Sequence, residues 1–500
     1  MSKQRMKKVF DQESLPMTFY AHTMKFVERN CYDQRCAVVF EAVPKDGVSM
    51  FVTGEFPFQI SQAEDDGGLL TKLWTDFQRG GLEDPAFMAH KAGYLGKVAN
   101  AEIVMMSRSF AKTKSIANAK NDWWEITLYQ TAPSEGEDAC LLAIPGYEEI
   151  QEELAFAIRP VSAEEEERLY HLYTRYDHLE FGKGKNGGME AIGPGTVFGK
   201  VQVLYVGAGL CCCLEDAGGN VIGYFDMGTE NVWSDRALQW ANPVGYPAMN
   251  QASVQSYNAV LGDALNVQNL AVIISHWHTD HVQILNDLAV DYLQNQAFVT
   301  FWQTAEFLLP DIIQAPGWAV THYTNVVAAI QQAGNQNVTV GLYQDQNQNI
   351  PVYQAQNISI FKCDRDDSRI IWKNHHDHGI WAAVMLNSNR TVFLAGDCAY
   401  DTIAVRNINA AELANNGQGY DYLVASHHGG AYTHTQARNK AQYIPHTDPQ
   451  AQPPQIIYSA NGAAYGHPNP VNVAAYGNAG WNHVYLQTFP GQGFNVCELT

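Results

Sequence analysis

The chain has 500 residues, 46% of them hydrophobic, with 31 Lys and Arg against 52 Asp and Glu and a formal net charge of −21. That length can hold two or three domains around a large core, and no run of about 18 apolar residues marks a membrane span. The charge is uneven: residues 191–500 keep only 10 cationic side chains against 22 acidic ones, which argues against a nuclease that grips duplex nucleic acid by phosphate neutralisation alone.

In chain order, the first ten residues are basic but lead to Asp11 and Glu13 rather than to an apolar core. No signal peptide is expected, and a cytoplasmic protein follows as the default. Nine cysteines, three of them adjacent at Cys211, Cys212 and Cys213, do not suit a disulfide framework. Residues 37–43, 101–106 and 123–129 read as strands. Ser162 followed by Glu165 reads as the capping box of a charged helix. His22, His90, His171 and His178 are scattered and form no constellation. Residues 1–190 are therefore expected to be an α+β domain, open to partner or substrate binding.

A Gly-rich linker at 182–188 ends that region; it lacks the Gly-Lys-Ser/Thr of a phosphate-binding loop. Residues 201–206, 210–214 and 221–226 then read as three strands, with a hairpin turn at 215–220. The third ends in Asp226-Met227-Gly228. A helix is expected at about 250–265, then a short buried strand at 270–274.

That strand runs into Ser275-His276-Trp277-His278-Thr279-Asp280-His281. Three imidazoles and a carboxylate lie within six positions, and these are the usual ligands of zinc. Two such groups in one loop can serve two adjacent metals. A helix is expected at about 282–295 and a strand at 297–302. Residues 303–360 read as short helices and loops on the rim of the site. Residues 391–397 read as a strand ending in Gly396-Asp397, and residues 422–430 as another ending in His427-His428-Gly429. All these strand ends are expected on one edge of a sheet.

The His-x-His-x-Asp-His loop resembles the signature of the metallo-β-lactamase fold, an αββα sandwich of the α/β class. The early Gly207-Ala208-Gly209 turn, His427-His428-Gly429, and Tyr465-Gly466-His467-Pro468 narrow the resemblance to one branch. That branch holds the soluble hydrolase domain of competence DNA-uptake channel proteins and the phosphorylcholine esterases. The resemblance covers roughly residues 195–500 and so implies a domain at 191–500. Leu210 stands where this branch usually has Asp, and Val282-Gln283 replaces a common Gly pair.

The resemblance implies two divalent metal ions, zinc or manganese. His276 and His278 would bind one, with a further ligand left open between His378, which lies nearest the strand at 380–386 and is favoured, His375 and neither. Asp280, His281 and His427 would bind the other, Asp397 would bridge them, Asp226 would orient the loop histidines, and His428 would stand behind the ligands. A metal-bridging hydroxide would attack the substrate, with Asp280 as a catalytic ligand and His467 contacting a phosphate or protonating the leaving group. The implied activity is that of a phosphodiesterase or nuclease acting on a nucleotide, single-stranded nucleic acid or another phosphodiester. Hydrolysis of an ester, lactone or β-lactam, and a metal-stabilised interaction protein without catalysis, are the alternatives, because a fold does not fix its substrate.

Overall fold

A computed structural model of the chain describes residues 16–27, 35–55, 68–84, 86–87, 91, 94–95, 98, 101–117, 119, 123–129, 131–134, 137–143, 153–173, 189–207, 209–229, 251–310, 318–341, 351–362, 379–398, 400, 403, 419–430, 444–448, 453–459, 468–486 and 496–500. The chain is of mixed α/β type and divides into two compact units. One takes residues 1–178, 232–247 and 313–324; the other takes 179–231, 248–312 and 325–500. The linker at 182–188 lies outside the described residues. Among the described residues, no helix is long and apolar enough to cross a membrane.

The first unit holds a six-stranded sheet, ordered β5-β3-β2-β1-β4-β6. Its strands are β1 (Met17–Val27), β2 (Cys36–Pro44), β3 (Ala101–Ser107), β4 (Trp123–Tyr129), β5 (Ala139–Ala143) and β6 (Ala155–Pro160), and every pairing is antiparallel. Alternation decides its core: Phe19 and Ala21, Val38 and Phe40, Ile103 and Met105, and Ile126 and Leu128 are buried together on one face. The capping box forms as the sequence predicts. The Glu165 amide donates to Ser162 Oγ at 3.2 Å, and the Ser162 amide donates to Glu165 Oε2 at 3.0 Å, before the helix Ala163–Tyr173. His22 is a buried core histidine set edge-on to Trp123 at 5.4 Å.

The second unit contains two seven-stranded sheets. The first comprises β7 (Phe198–Leu204), β8 (Cys211–Asp216), β9 (Val221–Met227), β10 (Ala271–Ile273), β11 (Glu306–Pro310), β12 (Val338–Gly341) and β20 (Val496–Leu499). The second comprises β13 (Tyr353–Ala355), β14 (Ile358–Lys362), β15 (Ile380–Met385), β16 (Thr391–Leu394), β17 (Tyr422–Val424), β18 (Gln455–Tyr458) and β19 (Asn482–Tyr485). Each sheet is half antiparallel and half parallel: β9 to β12 run parallel in one, β16 to β19 in the other. Side chains from both sheets share one apolar core, among them Val201, Phe225 and Ile273 from the first and Ile360, Ala382, Leu394 and Val424 from the second. The three adjacent cysteines are buried in β8 as small core residues, and their thiols are raised by burial.

Three expectations are corrected here. Residues 297–302 do not form a strand: the helix Val299–Thr304 occupies that stretch and the strand is β11 after it. Phe298 takes a left-handed turn at φ 56°, and the Trp302 indole donates to the Leu288 carbonyl at 3.2 Å; a short apolar run does not by itself separate strand from helix. Residues 303–360 hold β11, β12, β13, most of β14 and the helix Trp318–Ala333, rather than short helices and loops; residues 342–350 of that stretch lie outside the described residues. The third correction concerns the predicted helix at 282–295, which begins at Thr279. Asp280 and His281 therefore stand in its first turn.

Candidate metal centre

The site-forming loops leave the C-terminal ends of parallel strands, where open α/β sheets usually place their chemistry. They come from two sheets rather than one edge of a single sheet: β9 and β10 deliver the Asp226 and His276 segments, β16 and β17 the Asp397 and His427 segments. The apolar core between the sheets brings both sets of loops together.

Asp397 is 2% exposed and lies among imidazoles. Its Oδ1 is 3.0 Å from His281 Nε2 and 4.0 Å from His428 Nε2. Its Oδ2 is 3.6 Å from His276 Nε2 and 3.9 Å from His427 Nε2. His276, His278 and Asp397 each offer a ligand atom, all within 4.8 Å of one another. Asp280, His281 and His428 make a second group of the same kind, with His428 Nε2 3.3 Å from Asp280 Oδ2. Of the expected ligands, the fold thus gathers His276, His278, Asp280, His281, Asp397 and His427. His378, its alternative His375, and His467 lie outside the described residues.

The turn Ser426–Gly429 requires one reassignment. His427 was expected beside Asp280 and His281, but His428 occupies that position, while His427 faces the other oxygen of Asp397. The backbone supplies the reason. His427, His428 and Gly429 are all left-handed, at φ 50°, 52° and 80°. Two consecutive left-handed residues send neighbouring side chains to opposite sides of the carboxylate, and such strain persists only where the surroundings enforce it. Here the Ser426 amide donates to Tyr400 Oη at 2.9 Å, Ser426 Oγ donates to the Cys398 carbonyl at 2.6 Å, and the His427 amide donates to the Gly396 carbonyl at 3.2 Å.

Asp226 orients the centre from behind. It is fully buried, at φ 58°, where the pairing of β8 with β9 slips by a residue. Such a bulge re-aims a side chain. Its Oδ1 accepts the Ser275 amide at 2.6 Å, and its Oδ2 accepts Ser275 Oγ at 2.8 Å and His281 Nδ1–H at 2.8 Å. Ser275 Oγ is also 3.0 Å from His276 Nδ1. With Nδ1 of each ring hydrogen-bonded on that side, Nε2 of His276 and of His281 is the atom turned toward Asp397, the one that can ligate a metal once it is free of a proton. Sequence reasoning gave Ser275 no role; its place directly after a buried strand was the available signal.

Close packing fixes the loops. A Cβ on Gly396, at φ 54°, would lie 2.6 Å from Ser275 Cβ, and one on Gly228 would lie 1.7 Å from the Asp280 carbonyl oxygen. That carbonyl accepts the Leu210 amide at 2.8 Å. The main chain of Leu210, the residue where an Asp was expected, therefore braces Asp280.

Electrostatics among the side chains follow the same division. Burial alone pushes the Asp397 carboxyl up, but His281, His427 and His276 outweigh it and hold the group well below the usual carboxylate range. Burial works against a charged His281, yet Asp397 and Asp226 raise its pKa well above the ordinary value. Burial raises Asp226, with His281 and Ser275 opposing it. The donor set suits divalent cations: buried imidazoles with fixed tautomers, one carboxylate shared between two groups, and a second carboxylate in one of them. No protein-family model matches the chain, and no curated protein matches it.

Proposed function

We propose that residues 191–500 form a metallo-β-lactamase-type αββα hydrolase that uses two divalent ions, zinc or manganese, to cleave phosphodiesters, and that residues 1–190 form a separate domain for partner or substrate binding. The observation that carries this reading is Asp397, whose two oxygens face two separate ligand groups brought in by two sheets. In this reading His276, His278, Asp397 and His427 hold one ion. Asp280, His281, His428 and Asp397 hold the other. Two such ions lower the pKa of water and neutralise charge that develops on the attacked group. The protein's own part is orientation: Asp226 and Ser275 fix the imidazole tautomers, and the left-handed turn at 427–428 divides its histidines between the groups.

The phosphodiester assignment draws on the resemblance of the His427-His428-Gly429 and Gly207-Ala208-Gly209 segments. The acidic surplus of residues 191–500 favours a small or flexible substrate over a duplex. The test is metal analysis followed by a panel of bis-p-nitrophenyl phosphate, single-stranded DNA and a chromogenic lactam, with metal add-back. About two ions per chain and turnover of a phosphodiester are expected. Turnover of the lactam alone would move the protein to the lactamase class. A metal-free protein with no turnover would leave a non-catalytic interaction protein.

A further inference from the structure

The left-handed pair His427 and His428 needs support on both sides. Such a backbone is strained, and two strained residues in succession persist only where their neighbours over-determine them. The contacts of Ser426 and of the His427 amide fix how the chain enters the turn. Its exit is fixed by another element, the helix Pro470–Asn478, whose N-cap is Asn469. The Asn469 amide donates to the Gly429 carbonyl at 2.8 Å. Asn472, 6% exposed, donates through Nδ2 to the same carbonyl at 3.3 Å and also to the Gly430 carbonyl. A Cβ on Gly429 would lie 2.6 Å from the Tyr458 ring and 2.8 Å from Pro468 Cβ, so the turn is pressed against both.

Asn472 is the third residue of its helix. From that position a polar side chain commonly reaches back to the N-cap amide. Here that amide is engaged by Gly429, and the Asn472 carboxamide donates instead to the two carbonyls that follow His428. Asparagine suits the task, because its nitrogen carries two N–H groups and can serve two acceptors at once; an ionised aspartate of the same shape has none.

We infer that Asn472 is a positioning residue of the metal centre: by holding the Gly429 and Gly430 carbonyls it keeps His427 and His428 turned to opposite oxygens of Asp397. This rests on the metal-centre part of the reading above and deepens it, because loading of both ions then depends on the helix Pro470–Asn478. The two histidines serve different halves of the centre. A loosened exit therefore weakens both ions together, whereas loss of either imidazole weakens one. Asn335 provides an internal comparison. It is 4% exposed, and its Nδ2 also donates to two carbonyls, those of Trp302 and Ala305, at 2.8 Å each. Neither of those residues is a candidate ligand or adjoins one.

The test uses the full chain as wild type, N472D, N472A and N335A. Calorimetry with zinc reads the affinity for each ion, absorption of the cobalt-loaded protein reads ligand geometry, and melting of the metal-free protein reads stability alone. N472D and N472A should weaken both ions by about tenfold and shift the cobalt spectrum. N335A should lower the melting temperature, leave both affinities within about twofold and leave the spectrum unchanged. Coupling is reciprocal, so zinc should slow hydrogen exchange in the first turn of the helix Pro470–Asn478 of the wild type, a readout that stands even where the Asn472 variants fail to fold. Asn472 variants that bind zinc and absorb as wild type does, an equal loss of affinity in N335A, weakening of one ion only, or exchange indifferent to zinc would each overturn the inference. Diester turnover with N472D loaded as tightly as wild type removes Asn472 and leaves the hydrolase. Asn472-dependent loading of both ions without diester turnover removes the hydrolase and leaves the positioning role. A wild type that binds no metal overturns both.

Discussion

Near Asp397 Oδ2 stand His276 and His427, with His278 beside His276; near Oδ1 stand His281 and His428, together with the carboxylate of Asp280. The first half is an all-imidazole set whose one anionic partner is Asp397. The second carries a carboxylate of its own and is braced more firmly: His281 is fully buried and held by Asp226, while Asp280 lies in the first turn of the helix Thr279–Asn295. The partly positive end of that helix favours a carboxylate there. The paired histidines repeat the contrast, since the His428 side chain is 3% exposed and that of His427 15%. On the proposed reading, a strong, enclosed half next to a weaker, more accessible one would let one cation anchor and the other exchange a ligand for substrate.

The largest effect should come from removing what the halves share. Asp397→Asn replaces one anionic oxygen with an amide that presents N–H groups to a cation. Both halves lose charge compensation at once, so metal content should fall below one ion per chain and turnover should drop on the order of 10³-fold. Metal analysis of the purified variant checks this, and a variant that still holds two ions contradicts the bridge. Next come the paired histidines. His428→Ala should cost about 100-fold in affinity for the more tightly held ion, and His427→Ala about tenfold for the weaker one. Titration with a zinc chelator separates the two; equal losses would erase the distinction between the halves.

Asp226→Asn then tests the bracing of the second half alone. It keeps the shape but weakens the hold on His281 Nδ1, and about 10- to 100-fold in affinity for one ion is expected. Affinity should also fall as the pH drops, because the carboxylates that raise the His281 pKa favour a proton where the cation must bind. Asp226→Asn removes one of those carboxylates, so its pH dependence should shift to lower pH; calorimetry at several pH values reads the shift. A purely structural effect, on stability rather than on affinity, belongs to Gly396→Ala. The new methyl would meet Ser275 from a left-handed backbone position, at about 2–3 kcal/mol of stability, read as a lowered melting temperature.

The same contrast explains what was legible in the sequence. Three strands of the first unit, β2, β3 and β4, and the capping box at Ser162 follow from local alternation and spacing and lie where the sequence predicts, whereas β1, β5 and β6 were not predicted. The clustered His and Asp residues were legible as types because His-x-His-x-Asp-His is dense and follows a buried strand. Their grouping was not. Which of His427 and His428 meets Asp280 depends on two left-handed residues held by Tyr400, Cys398 and Gly396, and nothing local in a His-His pair encodes that. Likewise the strands, read one by one, placed their ends on one sheet, because each is a buried apolar run; two sheets were implied by the resemblance alone, and the strand pairing has two seven-stranded sheets in this unit. The bulge that aims Asp226 arises from a mismatch between two strands, which neither strand shows by itself.

Ser275→Ala is the smallest of the expected changes and the finest probe of the comparison. The hydroxyl donates to Asp226 Oδ2 and accepts from His276 Nδ1, so it links the brace of the second half to a ligand of the first. Removing it leaves the Ser275 amide still bound to Asp226 Oδ1 at 2.6 Å and His281 still bound to Oδ2. The second half therefore keeps its hold, while His276 loses the partner that fixes its tautomer. One such hydrogen bond contributes about 1 kcal/mol, so the weaker ion should bind about fivefold less tightly with the tighter ion unchanged. If the tighter ion weakens instead, the hydroxyl acts through Asp226 rather than through His276, and the two halves are one coupled unit.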